Sequence, residues 1–228
     1  MASWRRHLFY TRDCVKTTWK FRLGVLGIVI LAVALTGRFW VVQIGRSLVC
    51  TPDLAPSDVI LVENFDPNYL LFERAEALQR DGLAARVVVP VDVDTSSDAG
   101  GLNLIARGTA DLMARQARLT AWEMTPIRTI EPISLNAAIQ IRDRLRREHV
   151  KSVIVVTPGF RSRRSSLVYG AVFGDSGMKV RCDPVFGRGA PEGWTETWHG
   201  IQRVTEEFVK LQYYRFYALP FFPVKETT

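Results

Sequence analysis

The chain has 228 residues and a net charge of +7, a length that accommodates one membrane-spanning helix and one α/β domain. Residues 1–22 carry six basic side chains against Asp13, so +5 of the net charge lies there and +2 is left for the other 206 residues. Because a nucleic-acid-binding protein carries its positive charge on the folded domain, the composition argues against a DNA or RNA partner.

The first predicted element is a membrane-spanning helix over residues 21–43. Leu23–Gly37 is uncharged and mostly apolar. Extended to Val42, the run reaches the ~20 residues that a helix needs to cross ~30 Å of hydrocarbon. Arg38 is then expected near the far interface, where its long stem reaches water.

The basic flank of this helix predicts its orientation. Positive residues stay on the cytoplasmic side, so residues 1–20 are expected to form a cytoplasmic tail, and the rest of the chain lies outside the inner membrane, in the periplasm. Two alternatives remain open at this point. One is a signal peptide cleaved after the small residues Ala32-Val33-Ala34, which also exports the domain, and the other is a helix buried in a protein core.

The three cysteines are Cys14, Cys50 and Cys182. No two of them are close enough in sequence to form a metal-binding pair, so no zinc site is expected. Cys50 and Cys182 are either a disulfide formed in an oxidising compartment or two buried free thiols, and the sequence does not decide between the two.

After a predicted linker of residues 44–57, strand-like and helix-like segments alternate. The expected strands are Asp58–Val62, Arg86–Val91, Ile127–Ile130, Ser152–Thr157 and Lys179–Cys182. The expected helices are Tyr69–Asp81, Thr109–Trp122, Ser134–His149, Ser162–Phe173 and Trp198–Tyr217. Alternation with short connections predicts right-handed crossovers. The fold is therefore expected to be an α/β three-layer sandwich with a mostly parallel, Rossmann-like sheet over residues 58–219, followed by a tail of residues 220–228.

Several familiar kinds of site are absent from the sequence. Glu63-Asn64 stands where the glycines of a dinucleotide-binding loop would be needed, and no Gly-x-Ser-x-Gly motif occurs. None of the three histidines is well placed to activate a nucleophile. We therefore expect no bound cofactor.

The acidic segment at residues 92–101 is the one candidate for a metal. Asp92, Asp94 and Asp98 are hard oxygen donors, but their spacing matches no calcium-loop motif, and a solvated loop is the favoured interpretation. A metal-dependent phosphatase or hydrolase that uses Asp92 and Asp94 is kept as a weaker alternative.

Polar side chains at two strand-to-helix corners form the candidate site. The residues are Glu131, Ser134 and Asn136 at the first corner and Thr157, Arg161 and Arg164 at the second. Corners of parallel strands lie at one edge of the sheet, where ligands bind. Helix N-termini and guanidinium groups bind anions, and Glu131 is the expected general base. The alternative is that Ser134 and Asn136 only cap the helix that follows them and that the arginines pair with Glu131, Asp58 or solvent.

At these residues the chain resembles the SanA/ElyC/YdcF-like envelope proteins, a family defined by a domain of once-unknown function. The family motif Glu-x-x-Ser-x-Asn-Thr is similar to residues 131–137, where Ala137 replaces the threonine. The family motif Val-Thr-Ser-x-x-His-x-x-Arg is similar to residues 156–164, where Pro158 and Arg161 replace the serine and the histidine. The resemblance covers about Asp58 to Tyr214.

Two further segments carry this resemblance. The opening strand of the family, Asp-x-Ile-Val-Val-Leu-Gly, is similar to Asp58–Val62, although the glycines after it are absent here. The arginine on the first helix of the family is similar to Arg74, which the resemblance adds to the ligand-binding set.

The resemblance implies an exported α/β domain with a role in envelope, peptidoglycan or lipid-carrier maintenance, without a settled reaction. The expected function is to bind or process an anionic envelope metabolite that is phosphorylated or linked to a lipid, with the bilayer and a small anion or lipid-linked glycan as partners. The alternative is a non-catalytic accessory subunit of a larger membrane complex, which the missing histidine and the aromatic segment Tyr213–Phe222 favour.

Overall fold

The computed structural model describes residues 18–93, 103–187 and 191–222 and divides into two compact units, Met1–Trp40 and Val41–Thr228. Helix α1 (Trp19–Ser47) has 29 residues and is long and apolar enough to cross a membrane. The apolar side chains of its first half are exposed, unlike those of a helix inside a protein core.

The second unit is built on a sheet of five parallel strands. They are β1 (Val59–Val62), β2 (Arg86–Asp92), β3 (Trp122–Ile127), β4 (Ser152–Pro158) and β5 (Lys179–Val185), in the spatial order β3-β2-β1-β4-β5. All four strand pairs are parallel. The central strands β1 and β4 are runs of β-branched and aliphatic residues, as strands covered on both faces require.

Helices cover both faces of this sheet. They are α2 (Tyr69–Arg80), α3 (Leu104–Gln116), α4 (Ile133–Arg147), α5 (Ser162–Gly174), α6 (Trp198–Tyr213) and the short α7 (Leu219–Phe221), which follows a π-helical turn, Tyr214–Ala218. One hydrophobic core packs α2 and α3 on the sheet around Phe72 and Leu78, and the other packs α4 and α5 around Ile141 and Phe173. The expected α/β class with a helix layer on each face is confirmed.

The predictions for residues 109–130 were wrong in position. The strand predicted at Ile127–Ile130 is β3, which lies earlier and contains Pro126. Proline is tolerated there because β3 is an edge strand that pairs with β2 alone. The helix predicted at Thr109–Trp122 is α3, which buries the small residues Ala110 and Ala114 and leaves Leu112 exposed.

The predicted linker of residues 44–57 begins as helix. Helix α1 extends through Ser47, and the next residue, Leu48, is only 1% exposed because it packs against Val204 and Leu211 of α6. The amide of Arg163 at the start of α5 donates to the carbonyl of Leu48 over 3.0 Å. Residues 48–50 are therefore part of the folded unit.

A disulfide joins Cys50 to Cys182 on β5 and removes the alternative of two free thiols. The amide of Cys50 also donates to Ser162 Oγ over 2.9 Å, and the amide of Asp53 donates to the carbonyl of Cys182 over 3.3 Å. These contacts fix the chain between α1 and β1 to the edge of the sheet. Disulfides persist in oxidising compartments, which supports an exported domain.

Replacing both bonded cysteines, Cys50→Ser with Cys182→Ser, should lower the free energy of unfolding by about 2–5 kcal/mol, because the bond closes a long loop that the unfolded chain would otherwise leave open. Urea unfolding of the purified chain in detergent measures the change. The control is Cys14→Ser, which should unfold like the wild type. Wild-type protein that unfolds identically with and without reductant would contradict the prediction.

Candidate functional site

The candidate site lies where β1 and β4 run side by side. In the order β3-β2-β1-β4-β5 the chain moves outward from β1 in one direction and then returns to the other side with β4. Ligands of open parallel sheets bind in the crevice at such a switch point, beyond the carboxyl ends of the strands. Glu63, directly after β1, and Thr157, near the end of β4, meet here and are fully buried.

Glu63 is held by two hydroxyl groups. Thr157 Oγ1 donates a very short hydrogen bond to Glu63 Oε2, and Ser165 Oγ donates to the same oxygen over 2.7 Å. Glu63 Oε1 and the hydroxyl of Tyr169 are buried without a hydrogen-bond partner in the described part of the chain. Buried polar atoms of this kind normally bind water or a ligand, so one oxygen of this oriented carboxylate is open to a further donor.

The charge of Glu63 also acts on the phenol of Tyr169. Its burial, together with the negative charge of Glu63, raises the pKa of the phenol well above the usual value, against the smaller opposing effect of the two nearby guanidinium groups. The phenol is therefore protonated at neutral pH and is available as a hydrogen-bond donor.

A second cluster, beside the first, is built on Arg164. Its Nε and Nη2 donate to Glu207 of α6 over 3.0 and 3.2 Å, and its Nη1 donates to Ser134 Oγ of α4 over 2.6 Å. The Arg164 guanidinium lies over the ring of Tyr214, 5.4 Å from the centroid, and the Tyr214 hydroxyl accepts from the amide of Ser134. One buried guanidinium thus links three helices.

Arg161 extends this cluster towards the surface. Its Nε donates to Glu207 Oε1 over 3.4 Å, and its Nη2 forms an ion pair with Asp66 on the loop after β1. The side chain of Arg161 is buried, whereas that of Asp66 is 75% exposed. Arg161 therefore connects the buried carboxylate of Glu207 to a carboxylate in solvent.

Arg161 and Arg164 lower the pKa of the carboxyl groups of Glu207 and Asp66. Burial alone would raise the pKa of Glu207, but the charge and hydrogen bonds of Arg164 and the charge of Arg161 outweigh it, and the pKa lies below the usual range. Partial burial of Asp66 is likewise outweighed by its hydrogen bond to Arg161. Both groups are ionised at neutral pH, and the two guanidinium groups are neutralised within the protein.

Of the predicted site residues, the structure places Ser134, Arg161 and Arg164 in the cluster around Glu207 and Thr157 in the cluster around Glu63. The two strand-to-helix corners were expected to follow neighbouring strands. This was wrong, because β1 and β2 separate β3 from β4. Ser134 reaches the crevice because α4 packs beside α5 on the same face of the sheet.

The other three predicted residues have local roles. Glu131 is exposed, and its Oε2 accepts from the amide of Ile133 at the start of α4. Asn136 Nδ2 donates to the carbonyls of Ile130 and Pro132 over 3.2 and 3.3 Å, which shapes the same loop.

Arg74 on α2 forms an ion pair with Asp183 of β5. Its Nε donates to Asp183 Oδ2 of β5 over 2.7 Å, and its Nη2 donates to Oδ1 of the same carboxylate over 3.4 Å. Asp183 is buried and Arg74 is partly exposed. This bidentate pair ties α2 to β5 and leaves Arg74 committed to the protein.

Three carboxylates of the site, Glu63, Asp66 and Glu207, were missed from the sequence, as were Ser165 and Tyr169 beside Glu63. Two of them carry a signal that was available. Glu63 is a carboxylate directly after a fully apolar strand, and Glu207 shares the buried face of α6 with Val204 and Leu211 at helical spacing. A charged residue inside an apolar stripe predicts a buried partner of opposite charge.

The possible metal site finds no support in the described residues. Asp92 Oδ1 accepts from Thr129 Oγ1 over 2.6 Å, while Asp94 and Asp98 lie outside the described residues. Among residues 18–93, 103–187 and 191–222, no group of three or more histidine, cysteine, aspartate or glutamate side chains is placed to hold a metal ion.

No family model matches the chain, and no curated protein sequence matches it. The resemblance to the SanA/ElyC/YdcF-like proteins therefore stays a prediction. What the geometry offers chemically is an oriented buried carboxylate, Glu63, and a buried guanidinium, Arg161, whose outer partner is the exposed carboxylate of Asp66.

Replacing Glu207 with alanine should lower the free energy of unfolding by about 3–5 kcal/mol, because it leaves two buried guanidinium groups without their shared carboxylate. The matched control is the adjacent Glu206→Ala. Glu206 forms an exposed pair with Lys210 one turn away, and its loss should cost no more than ~0.5 kcal/mol. Urea unfolding measures both. Equal losses of unfolding free energy in the two variants would show that the buried Glu207 contacts stabilise the fold no more than an exposed ion pair does.

The lowered pKa of Glu207 also predicts an acid-dependent loss of stability. A carboxyl group whose pKa is lower in the folded than in the unfolded state stabilises the fold above its unfolded value, and this contribution disappears as the pH falls through the folded pKa. The loss should begin below the ordinary value of 4.5. Unfolding free energies measured between pH 7 and pH 3 should fall less steeply in Glu207→Gln than in the wild type; parallel curves would refute this.

Proposed function

We propose that this chain is a membrane-anchored domain on the extracytoplasmic side that binds an anionic, phosphorylated or lipid-linked, ligand of the cell envelope at the crevice between β1 and β4. Three observations support the membrane anchor and the extracytoplasmic location of the domain. Helix α1 is long and apolar enough to span a bilayer, basic residues precede it, and a disulfide staples the folded unit. The last two favour an orientation with the domain outside the cytoplasm.

The ion pair between Arg161 and Asp66 carries the proposal for a ligand. A buried guanidinium is held rigidly by Glu207 on one side, and its other side meets a carboxylate that is mostly in solvent. The Asp66 end of this part-buried pair lies in solvent, and another anion at that position would keep the buried guanidinium paired. A phosphate or carboxylate from solvent can therefore take the place of Asp66 on Arg161.

The same geometry limits how the ligand binds. Arg164 is engaged by Glu207 and Ser134 inside the protein, so it positions Glu207 and through it Arg161, and it does not face the ligand. The N-terminus of α5 lies directly after Arg161 and adds a favourable dipole for a negative charge. Glu63, one of whose oxygens has no hydrogen-bond partner within the part of the chain that the structure describes, replaces Glu131 as the carboxylate that would act as base in any reaction here.

Binding of inorganic phosphate, a sugar phosphate and a polyisoprenyl phosphate to the full chain in detergent tests this proposal. Asp66→Asn should tighten binding about two- to fivefold, since it removes the competing carboxylate. Arg161→Gln should abolish binding. The control is Arg163→Gln, which changes an exposed arginine two residues away and should bind as the wild type does.

Two results would defeat the proposal. One is equal binding by the wild type and Arg161→Gln, and the other is negligible binding of every probe by both the wild type and Asp66→Asn. A response to the polyisoprenyl phosphate alone would identify a lipid-linked ligand, whereas equal responses to all three probes would point to the phosphate group itself.

A second candidate function is that of a non-catalytic accessory subunit. The observation that favours it is that Arg161 and Arg164 are neutralised within the protein, an arrangement that a purely structural domain would also show. Extraction in a mild detergent followed by mass measurement discriminates between the two functions. A particle with the mass of one chain, 25.8 kDa, would count against a stable complex.

A further inference from the structure

The surface of α6 is divided into three sides. At 100° per residue, the side against the domain carries Val204, Glu207 and Leu211, which are buried. A charged flank follows, and its members are Arg203, Glu206 and Lys210. The remaining side, here called the uncharged face, carries Trp198, Gln202, Thr205, Phe208, Val209 and Tyr213.

The uncharged face is exposed although it is rich in large apolar groups. Trp198 is 72% exposed and Val209 is 61% exposed. Exposed aromatic side chains continue beyond the helix at Phe216 and Tyr217. A soluble surface helix normally places charged residues on its outer side, and a contiguous apolar patch marks a surface that meets another partner.

Chain connectivity places α6 next to the end of the apolar run of α1. Trp194, just before α6, donates its ring N–H to the carbonyl of Val41 over 2.9 Å. Six residues after Val42, Leu48 packs against α6, and six helical residues extend only ~9 Å. The headgroup region on each side of the hydrocarbon is itself ~5–8 Å thick.

We propose that the uncharged face of α6 lies in the membrane interface, beginning at Trp198. This inference rests on the proposed membrane anchor, and it adds a second contact with lipid that orients the domain. Tryptophan and tyrosine concentrate at that depth because their rings are apolar and their N–H and O–H groups are polar. Arg203 and Lys210 on the adjoining flank suit the lipid phosphates, as on other interfacial helices.

Lipid is the occupant that the structure favours over a second copy or another protein. The apolar run of α1 ends within a few residues of the contacts that hold α6, so α6 reaches a bilayer without a diffusional encounter. No free linker separates α1 from the folded unit that contains α6, because residues 48–50 are packed on that unit.

Nitroxide labels on the full chain in phosphatidylethanolamine–phosphatidylglycerol vesicles test the proposal. Val209→Cys and Trp198→Cys place labels on the uncharged face, and Glu206→Cys places one on the charged flank, all in a Cys14→Ser background with the disulfide intact. Collision rates are measured with oxygen, which concentrates in lipid, and with a nickel chelate, which stays in water. The labels at residues 198 and 209 should gain oxygen contact and lose nickel contact relative to the label at 206.

Nickel contact at 198 and 209 equal to that at 206 would overturn the proposal. A loss of both oxygen and nickel contact would also overturn it and would indicate a protein partner, with dipolar broadening between labels if that partner is a second copy. An alkaline carbonate wash separates this failure from that of the anchor. Protein released by the wash refutes the membrane anchor itself, whereas retained protein with a wet label at 209 refutes only the interfacial contact.

Discussion

The carboxylate of Glu207, shared by Arg161 and Arg164, is the interaction on which the rest of the crevice depends. Two guanidinium groups are buried here, and desolvated charges are tolerated only when they are paired and hydrogen-bonded. Glu207 supplies that pairing from α6. This single acid joins α6 to the start of α5, and Arg164 in turn joins the start of α4 through Ser134.

This constraint determines what the crevice can do. Because Glu207 and Asp66 neutralise the two guanidinium groups, the site is not an open cradle for anions, and the part-buried pair of Arg161 with the exposed Asp66 is where exchange with solvent is least costly. Thr157 and Ser165 orient Glu63, whose other oxygen has no hydrogen-bond partner among the described residues. Leu48 packs on α6, and Trp194, just before α6, donates to the carbonyl of Val41 near the end of α1, so the proposed ligand site and the proposed membrane contact share the same helix.

The class of the fold and the location of most of its elements could be predicted from local sequence patterns. Apolar runs such as Val59–Val62 and Ser152–Pro158 are recognisable because both faces of a central parallel strand are buried. The uncharged run of α1 was equally clear. Sequence reasoning failed at β3, where an edge strand tolerates Pro126 and Glu123 and therefore lacks the apolar pattern. Sequence reasoning also singled out Ser134, Thr157, Arg161 and Arg164, which the fold places in the clusters around Glu63 and Glu207.

Which acid accompanies the arginines and which strands are neighbours depend on long-range packing. Strand order is set by long-range packing, and it puts β1 rather than β3 beside β4, so Glu63 replaces Glu131 at the crevice. The pairing of Cys50 with Cys182 and of Glu207 with Arg164 joins residues far apart in the chain. Such contacts depend on how helices dock on the sheet, and the local spacing of residues, which is all that a single sequence displays, carries no record of that docking.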